Sequence, residues 1–283
     1  MAEYMTKDME LKRDPHQYGN EKGLSVNHYL INLINKILTG VDKNNKHNKP
    51  AVILTMIDYA QAFERQSHKL GIESFIRNGV RKSLIPVLIS FFENRSIMVK
   101  WKNVFSKLIE VHGGGAQGGT AGGILEYISQ TAGNLNFLEM DEGFKFIDDS
   151  SMIEILNLFL GGLSSYNTKQ NVPSDISPDS YYLDTHNFKT QEYLDKLKQW
   201  TDAQQMKVNS LKTKYMITNF CSTTQFQVRL TVTDDVIEQV HETKLLGVIL
   251  SDNFKWNANT QSSQEGIQKD AHNEEFGKIQ YSR

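Results

Sequence analysis

Between residues 24 and 38 the apolar side chains fall at Leu24, Tyr29, Leu30, Leu33, Ile34, Ile37 and Leu38. Those offsets return to one face of a 3.6-residue turn and predict an amphipathic helix, with Ser25 and Asn27 as candidate caps. A different rhythm follows at 51–57, where AVILTMI runs apolar almost without a break and stops at Asp58. A short β-branched run bounded by Pro50 predicts a strand buried on both faces. Residues 61–70 and 73–92 predict helices, with breaks at Gly71 and Gly79 and a further candidate break at Pro86. Residues 96–101 and 105–112 predict two strands that meet near Lys102 and Asn103. A glycine cluster, GGGAQGGTAGG (113–123), leads into a helix predicted over 124–131. In FKFIDDSSMIEI (144–155) two short apolar runs flank an Asp-Asp pair, the pattern of a β-hairpin with carboxylates at its turn. Tyr193, Leu194, Leu197 and Trp200 mark a helix over 191–204, their stripe serving the core, and strands are predicted at 215–220, 226–232 and 245–250.

Polar stretches divide these elements. Residues 1–23 are polar and expected to be poorly ordered, and 40–50 reads as a loop rich in lysine and asparagine. The segment 162–190, with Pro173 and Pro178, is expected to be a mobile insertion, and 257–283 a disordered tail. Strands and helices do not alternate regularly, which favours an α+β fold over a doubly wound sheet.

At 283 residues, 39% hydrophobic and 10% aromatic, the chain is long and apolar enough for a substantial core. Its one cysteine, Cys221, excludes an internal disulfide framework and a cysteine-based zinc cluster, and points to a reducing intracellular compartment, cytoplasm or nucleus. The net charge of −2 advertises no polyanion partner, although a local basic groove is compatible with it. The N-terminus lacks the apolar core of a secretory signal, and the longest apolar stretches, 51–57 and 84–92, are too short to span a bilayer. The eight histidines form no HExxH or other zinc spacing.

The chemistry concentrates in three aspartates. Asp58 ends one apolar strand, while Asp148 and Asp149 lie between two others ninety residues further on. Carboxylates at the ends of buried strands are poorly solvated and repel each other when brought together. Divalent cations resolve that conflict, and paired carboxylates can hold two Mg²⁺ for an in-line phosphoryl displacement. The plainer reading makes Asp58 a helix cap and Asp148–Asp149 ordinary turn residues.

Six motifs in order bear on that choice. They are QYGNEKGLSVNHYL (17–30), MIDYAQAFERQ (56–66), GGGAQGG (113–119), FKFIDD (144–149), MKVNSLKTKYMI (206–217) and TKLLGVILSDN (243–253). Together, from Gln17 to about Asn259, they resemble the reverse transcriptase domain of non-LTR (LINE-type) retrotransposons. The fingers-edge motif, D-x-x-x-A-F-D, G-G-x-P-Q-G, F/Y-x-D-D, L-N-x-x-K-T-x-x-M and the primer-grip hairpin have counterparts in sequence. The resemblance implies a right-hand polymerase palm, an antiparallel sheet with helices on one face, at 51–256. Partial fingers would occupy 17–50, and little or no thumb would follow. It implies RNA-directed DNA polymerase activity on an RNA template and DNA primer, with deoxynucleoside triphosphates and two Mg²⁺, Mn²⁺ being an alternative.

Carried over residue by residue, Asp58, Asp148 and Asp149 would ligate the metals, with the Tyr59 carbonyl beside them. Phe63 would be the aromatic wall that rejects a 2′-OH, and Gln117 and Gly118 would lie under the incoming nucleotide and template base. Lys212 would stand near the terminal phosphates as a charge clamp or proton donor. Lys22 would touch template from the fingers, and Leu246 and Gly247 would shape the primer grip. The chain departs from the pattern at Ala116, where proline is expected, at Glu64 for aspartate, and at Gly119 and Val26. It holds no endonuclease or RNase H segment and reads as a palm-centred fragment. These departures keep open a catalytically silent relic that binds RNA or RNA–DNA duplex. A third reading, dinucleotide binding, rests only on Gly113, Gly115 and Gly118 as G-x-G-x-x-G with Glu139 downstream, a weak pattern. Trp101 between Lys100 and Lys102 reads either as a stacking platform for nucleic acid or as a strand-end aromatic with solvated lysines.

Overall fold

The computed structural model describes residues 1–42, 48–115, 123–159, 181–182, 189–219, 226–257 and 259. In chain order the elements are α1 (Ala2–Met9), α2 (Val26–Asp42), β1 (Asn48–Ile57), α3 (His68–Arg77), α4 (Ile85–Phe92), β2 (Arg95–Ile97), β3 (Lys100–Trp101), β4 (Val104–Phe105), β5 (Ile109–Val111) and α5 (Leu125–Thr131). Then follow β6 (Gly143–Phe146), β7 (Asp149–Phe159), β8 (Tyr181–Tyr182), α6 (Lys189–Ala203), β9 (Lys214–Asn219), β10 (Phe226–Gln227), β11 (Thr231–Val232), β12 (Asp235–Val236), β13 (Glu238–Gln239), β14 (Glu242–Leu245) and β15 (Val248–Ser251).

A five-stranded sheet runs in the order β13-β9-β1-β7-β6. The uninterrupted apolar run of β1 has a direct cause. Successive side chains of a strand point to opposite faces, and both faces of β1 are covered. Ala51, Ile53 and Ile57 enter one cluster with Tyr127 of α5 and with Tyr193, Leu194 and Leu197 of α6. Val52 and Leu54 enter a second with Tyr29, Leu33 and Ile37 of α2 and with Leu245 and Leu250 of the β14–β15 hairpin. This corrects the expectation of helices on one face only. The expectation of a purely antiparallel sheet also needs amending: β1, β6, β7 and β9 pair antiparallel, but the edge strand β13 runs parallel to β9.

A third cluster joins Met5 of α1, Phe75 of α3, Leu88 and Phe92 of α4, and Leu125 of α5. Residues 2–12, expected to be poorly ordered, are instead helical, because Met5 is fully buried here and Asp8 binds Arg81 through both carboxylate oxygens. Residues 61–65 form turns, with Gln61 at φ +53°, and the helix starts only at His68 behind the Ser67 cap. Pro86 lies in the first turn of α4, where its missing N–H costs nothing, so it breaks no helix. Most of the expected insertion at 162–190 and of the tail at 257–283 lies outside the described residues.

Candidate functional site

The register of β1 against β7 brings the distant aspartates together. Their ladder ends on the pair Ile57↔Ser150, so one further step sets Asp58 opposite Asp149. Asp149 in turn pairs with Phe146 across a two-residue turn made of Ile147 and Asp148. Asp58 is half-buried, while Asp148 and Asp149 are exposed at the sheet end. Burial, then Asp148, then Asp58 raise the Asp149 carboxyl above its ordinary range. Beneath them lies the buried Tyr127, whose phenol is pushed well up by burial and then by Tyr59, Asp148, Asp149 and Asp58. Three carboxylates thus act on one another, or on one phenol, across ninety residues of chain.

The backbone of Asp58 is tied to the segment 207–213. Its N–H donates to Thr213 Oγ1 (3.2 Å), its carbonyl accepts from Asn209 N–H (2.8 Å), and the next residue, Tyr59, bridges to Val208. The side chain of Tyr59 is buried with its hydroxyl accepting from Asn134 Nδ2 (2.6 Å), and burial pushes its pKa up to about 12. Its side chain therefore points into the core, leaving only its backbone for the site. Phe63 packs its ring 4.9 Å from Tyr127. The glycine loop starts from this wall: Gly115 N–H donates to the Phe63 carbonyl and Gly114 N–H to that of Gln66, both at 2.8 Å. Gln117 and Gly118 lie outside the described residues. Gly113–Gly115 follow strand β5 of an antiparallel hairpin, not a strand of a parallel βαβ unit, which removes the support for dinucleotide binding.

The aspartate turn has a support that sequence patterning missed. Ile147 sits at φ +60°, an outlier for a β-branched residue. Gln17, buried, accepts on Oε1 from Ile147 N–H (3.0 Å) and from Gly19 N–H (2.9 Å). Residues 16–18 run alongside β6 through Lys145 N–H to the His16 carbonyl and Tyr18 N–H to the Lys145 carbonyl. Gly19 presses so close that an added Cβ would stand 2.7 Å from Ile147 N. Behind the turn, Lys145 Nζ binds Asp14 Oδ2 at 2.7 Å and the Thr131 carbonyl at 2.9 Å, both side chains being almost wholly buried. Burial draws the Lys145 ammonium below its usual range despite Asp14, while at Asp14 burial is overcome by Lys145 and His16 together, which hold that carboxyl down. A lysine between two strand phenylalanines reads as solvent-facing, so only a matching acid elsewhere, Asp14, hints at the pair.

The remaining candidates fall at separate places. Lys212 is exposed in the turn 209–213 that grips Asp58, with Lys212 and Thr213 N–H groups donating to the Asn209 carbonyl. Leu246 (φ +47°) and Gly247 (φ +89°) form the turn joining β14 to β15, where only the second is a residue that adopts such φ freely. Exposed Lys22 lines a cavity of about 590 Å³ with Lys7, Arg13 and Asp14, and none of the three aspartates of the site lines it.

Asp58, Asp148 and Asp149 offer hard oxygen donors of the kind Mg²⁺ takes. Among the described residues no three acidic, histidine or cysteine side chains close into a cation cage. Mg²⁺ commonly needs none, because one or two carboxylates and the substrate phosphates supply its ligands. Among the described residues, no helix is long and apolar enough to cross a membrane.

No family model matches the chain, and no curated protein matches it. Among solved structures, apo telomerase from Candida tropicalis truncated from its C-terminal domain is similar with a TM-score of 0.54 and 13% identity, over 90% of this chain and 43% of that one. Apo telomerase from the same organism matches with a TM-score of 0.51 and 12% identity, over 90% of this chain and 40% of that one. The chain thus spans less than half the length of these structures. At such identity the likeness shows the fold alone.

Proposed function

We propose that this chain is the reverse transcriptase domain of a non-LTR retrotransposon, extending a DNA primer on an RNA template with deoxynucleoside triphosphates. The observation that carries the reading is the β1–β7 register, which sets Asp58 opposite Asp149 and beside the Asp148 turn. In this reading Asp58, Asp148 and Asp149 hold two Mg²⁺, or Mn²⁺. Such ions, when bound, stabilise the attacking and leaving oxygens of the displacement. Mutual repulsion, already felt at Asp149, falls once cations share the site. The Tyr59 backbone lies beside these acids. Phe63, braced on Tyr127, forms the floor beneath the sugar and excludes a 2′-OH. Lys212, on the turn that grips Asp58, neutralises or protonates the departing pyrophosphate. Gln117 and Gly118 contact the nucleotide and template base, Lys22 the template, and Leu246 and Gly247 the primer.

A primed RNA template with deoxynucleotides and Mg²⁺ tests this reading. Primer extension is expected, and Asp58→Asn or Asp148→Asn should lower it by about a thousandfold or more, as befits groups that act on charge in the transition state. Extension that survives both substitutions together would refute it. Strand binding with no extension under any metal would leave the silent RNA-binding relic.

A further inference from the structure

Residues 95–111 form one long hairpin. Arg95↔Val111, Ser96↔Glu110 and Ile97↔Ile109 pair at its root, and Lys100↔Phe105 and Trp101↔Val104 pair near its tip. Between them Ser106 N–H donates to the Val99 carbonyl and Val99 N–H to Ser106 Oγ, both at 2.9 Å. Among the described residues neither ladder continues into another strand. At about 3.3 Å per residue the arm reaches roughly 25–30 Å from its root. A two-stranded ribbon of this kind is marginal in water by itself. Yet Val99, Trp101, Val104, Phe105 and Leu108 are each more than half exposed, Trp101 at 72%.

Its charge says what covers it. Between Glu93 and Glu110 the arm carries Arg95, Lys100, Lys102 and Lys107 and no acid, on a chain whose net charge is −2. All three lysines are exposed, and Lys100 Nζ stands 5.4 Å over the Phe105 ring. Trp101 shares one face of the ribbon with Val104, while Phe105 lies on the other beneath Lys100. The exposed indole with lysines beside it suits a strand whose bases stack and whose phosphates meet ammonium groups. A paired duplex hides its base faces. The root is bonded through Gly114 and Gly115 to Gln66 and Phe63, at the edge of the carboxylate site.

We propose that the 95–111 arm is a binding site for single-stranded polynucleotide, with Trp101 stacking on bases from one face of the ribbon and Lys100, Lys102 and Lys107 meeting phosphates. It rests on the polymerase reading for which strand it holds, the one entering or leaving the site.

The full chain, titrated into fluorescein-labelled single strands of about 20 nucleotides, RNA and DNA of one sequence in parallel, tests this binding site by anisotropy. Trp101→Ala should weaken binding about tenfold, since stacking on one aromatic is worth that order. Lys100→Ser with Lys102→Ser should make the salt slope shallower by about 1.4. Trp101 is exposed, so a far-ultraviolet spectrum matching the parent chain confirms that the variant folds. Preference for RNA or for DNA identifies the strand, and either supports the site on the arm. Affinity and slope unchanged in both variants would overturn it while leaving primer extension, and with it the polymerase reading, intact. Failure of the parent chain to bind either strand would also overturn it, as would arm-dependent self-association in sedimentation without strand binding, which would make the arm a protein interface. Loss of extension in Asp58→Asn with unchanged strand binding separates the two claims.

Discussion

Gln17 hydrogen-bonds two backbone N–H groups with one side-chain oxygen. Gln17→Leu leaves both donors without that acceptor, which should cost about 1–3 kcal/mol, read by urea denaturation. Gly19→Ala pushes a methyl against Ile147 N, backbone that cannot swing aside, and the turn must shift. Primer extension should then fall more than tenfold for a loss of only a few degrees in Tm, because a displacement of about 1 Å at a reacting group costs far more rate than stability. Phe63→Val removes the ring braced on Tyr127, and incorporation of ribonucleotides relative to deoxynucleotides should rise at least tenfold by single-nucleotide extension. At this scale the sequence was legible where chemistry and spacing coincide. Asp58, Asp148 and Asp149 stand at the ends of apolar runs, and charge at such positions asks for an explanation. Lys145 and Gln17 were not legible in their supporting roles, because their burial depends on residues more than a hundred positions away.

Helix α5 brings a different charge into the interior. Glu126 is fully buried against Gly71 of α3, where an added Cβ would lie 2.5 Å from its Oε1, and burial raises its pKa to about 8 although Arg95 opposes the shift. The folded chain therefore holds this carboxyl neutral where the unfolded chain would ionise it. The stability it confers is complete below about pH 4.5 and drains away as pH climbs to 8, on the order of a few kcal/mol. Glu126→Gln should flatten the dependence of unfolding free energy on pH over that interval. Element boundaries followed the sequence closely at α6, expected over 191–204, whereas α2 runs on to Asp42 and β1 begins at Asn48, shortening the loop expected over 40–50 from both ends. They failed at 61–65, where apolar spacing suggested a helix but the chain turns to bring Phe63 under the glycine loop. They failed again at α1, where a polar segment is ordered by Met5, one residue in a cleft made by three other helices.

The two apolar clusters that share β1 make the sheet the last thing to open. Amides of β1, bonded on both sides and covered on both faces, should show the slowest hydrogen exchange of the chain, and those of the 95–111 arm among the fastest. Equal protection in both would mean that the arm is packed against something in solution. A sheet covered on both faces was partly legible, since β1 reads apolar throughout. The parallel edge strand β13 was not, because two residues carry no periodicity. The strap at residues 16–19 runs beside β6, with His16 and Gln17 buried and Tyr18 packed on Tyr29 and Phe144. A chain shortened past Gly19 would lose Met5 from the third cluster, leave Lys145 buried without Asp14 and release the turn that carries Asp148, so its fold and its aim would go together.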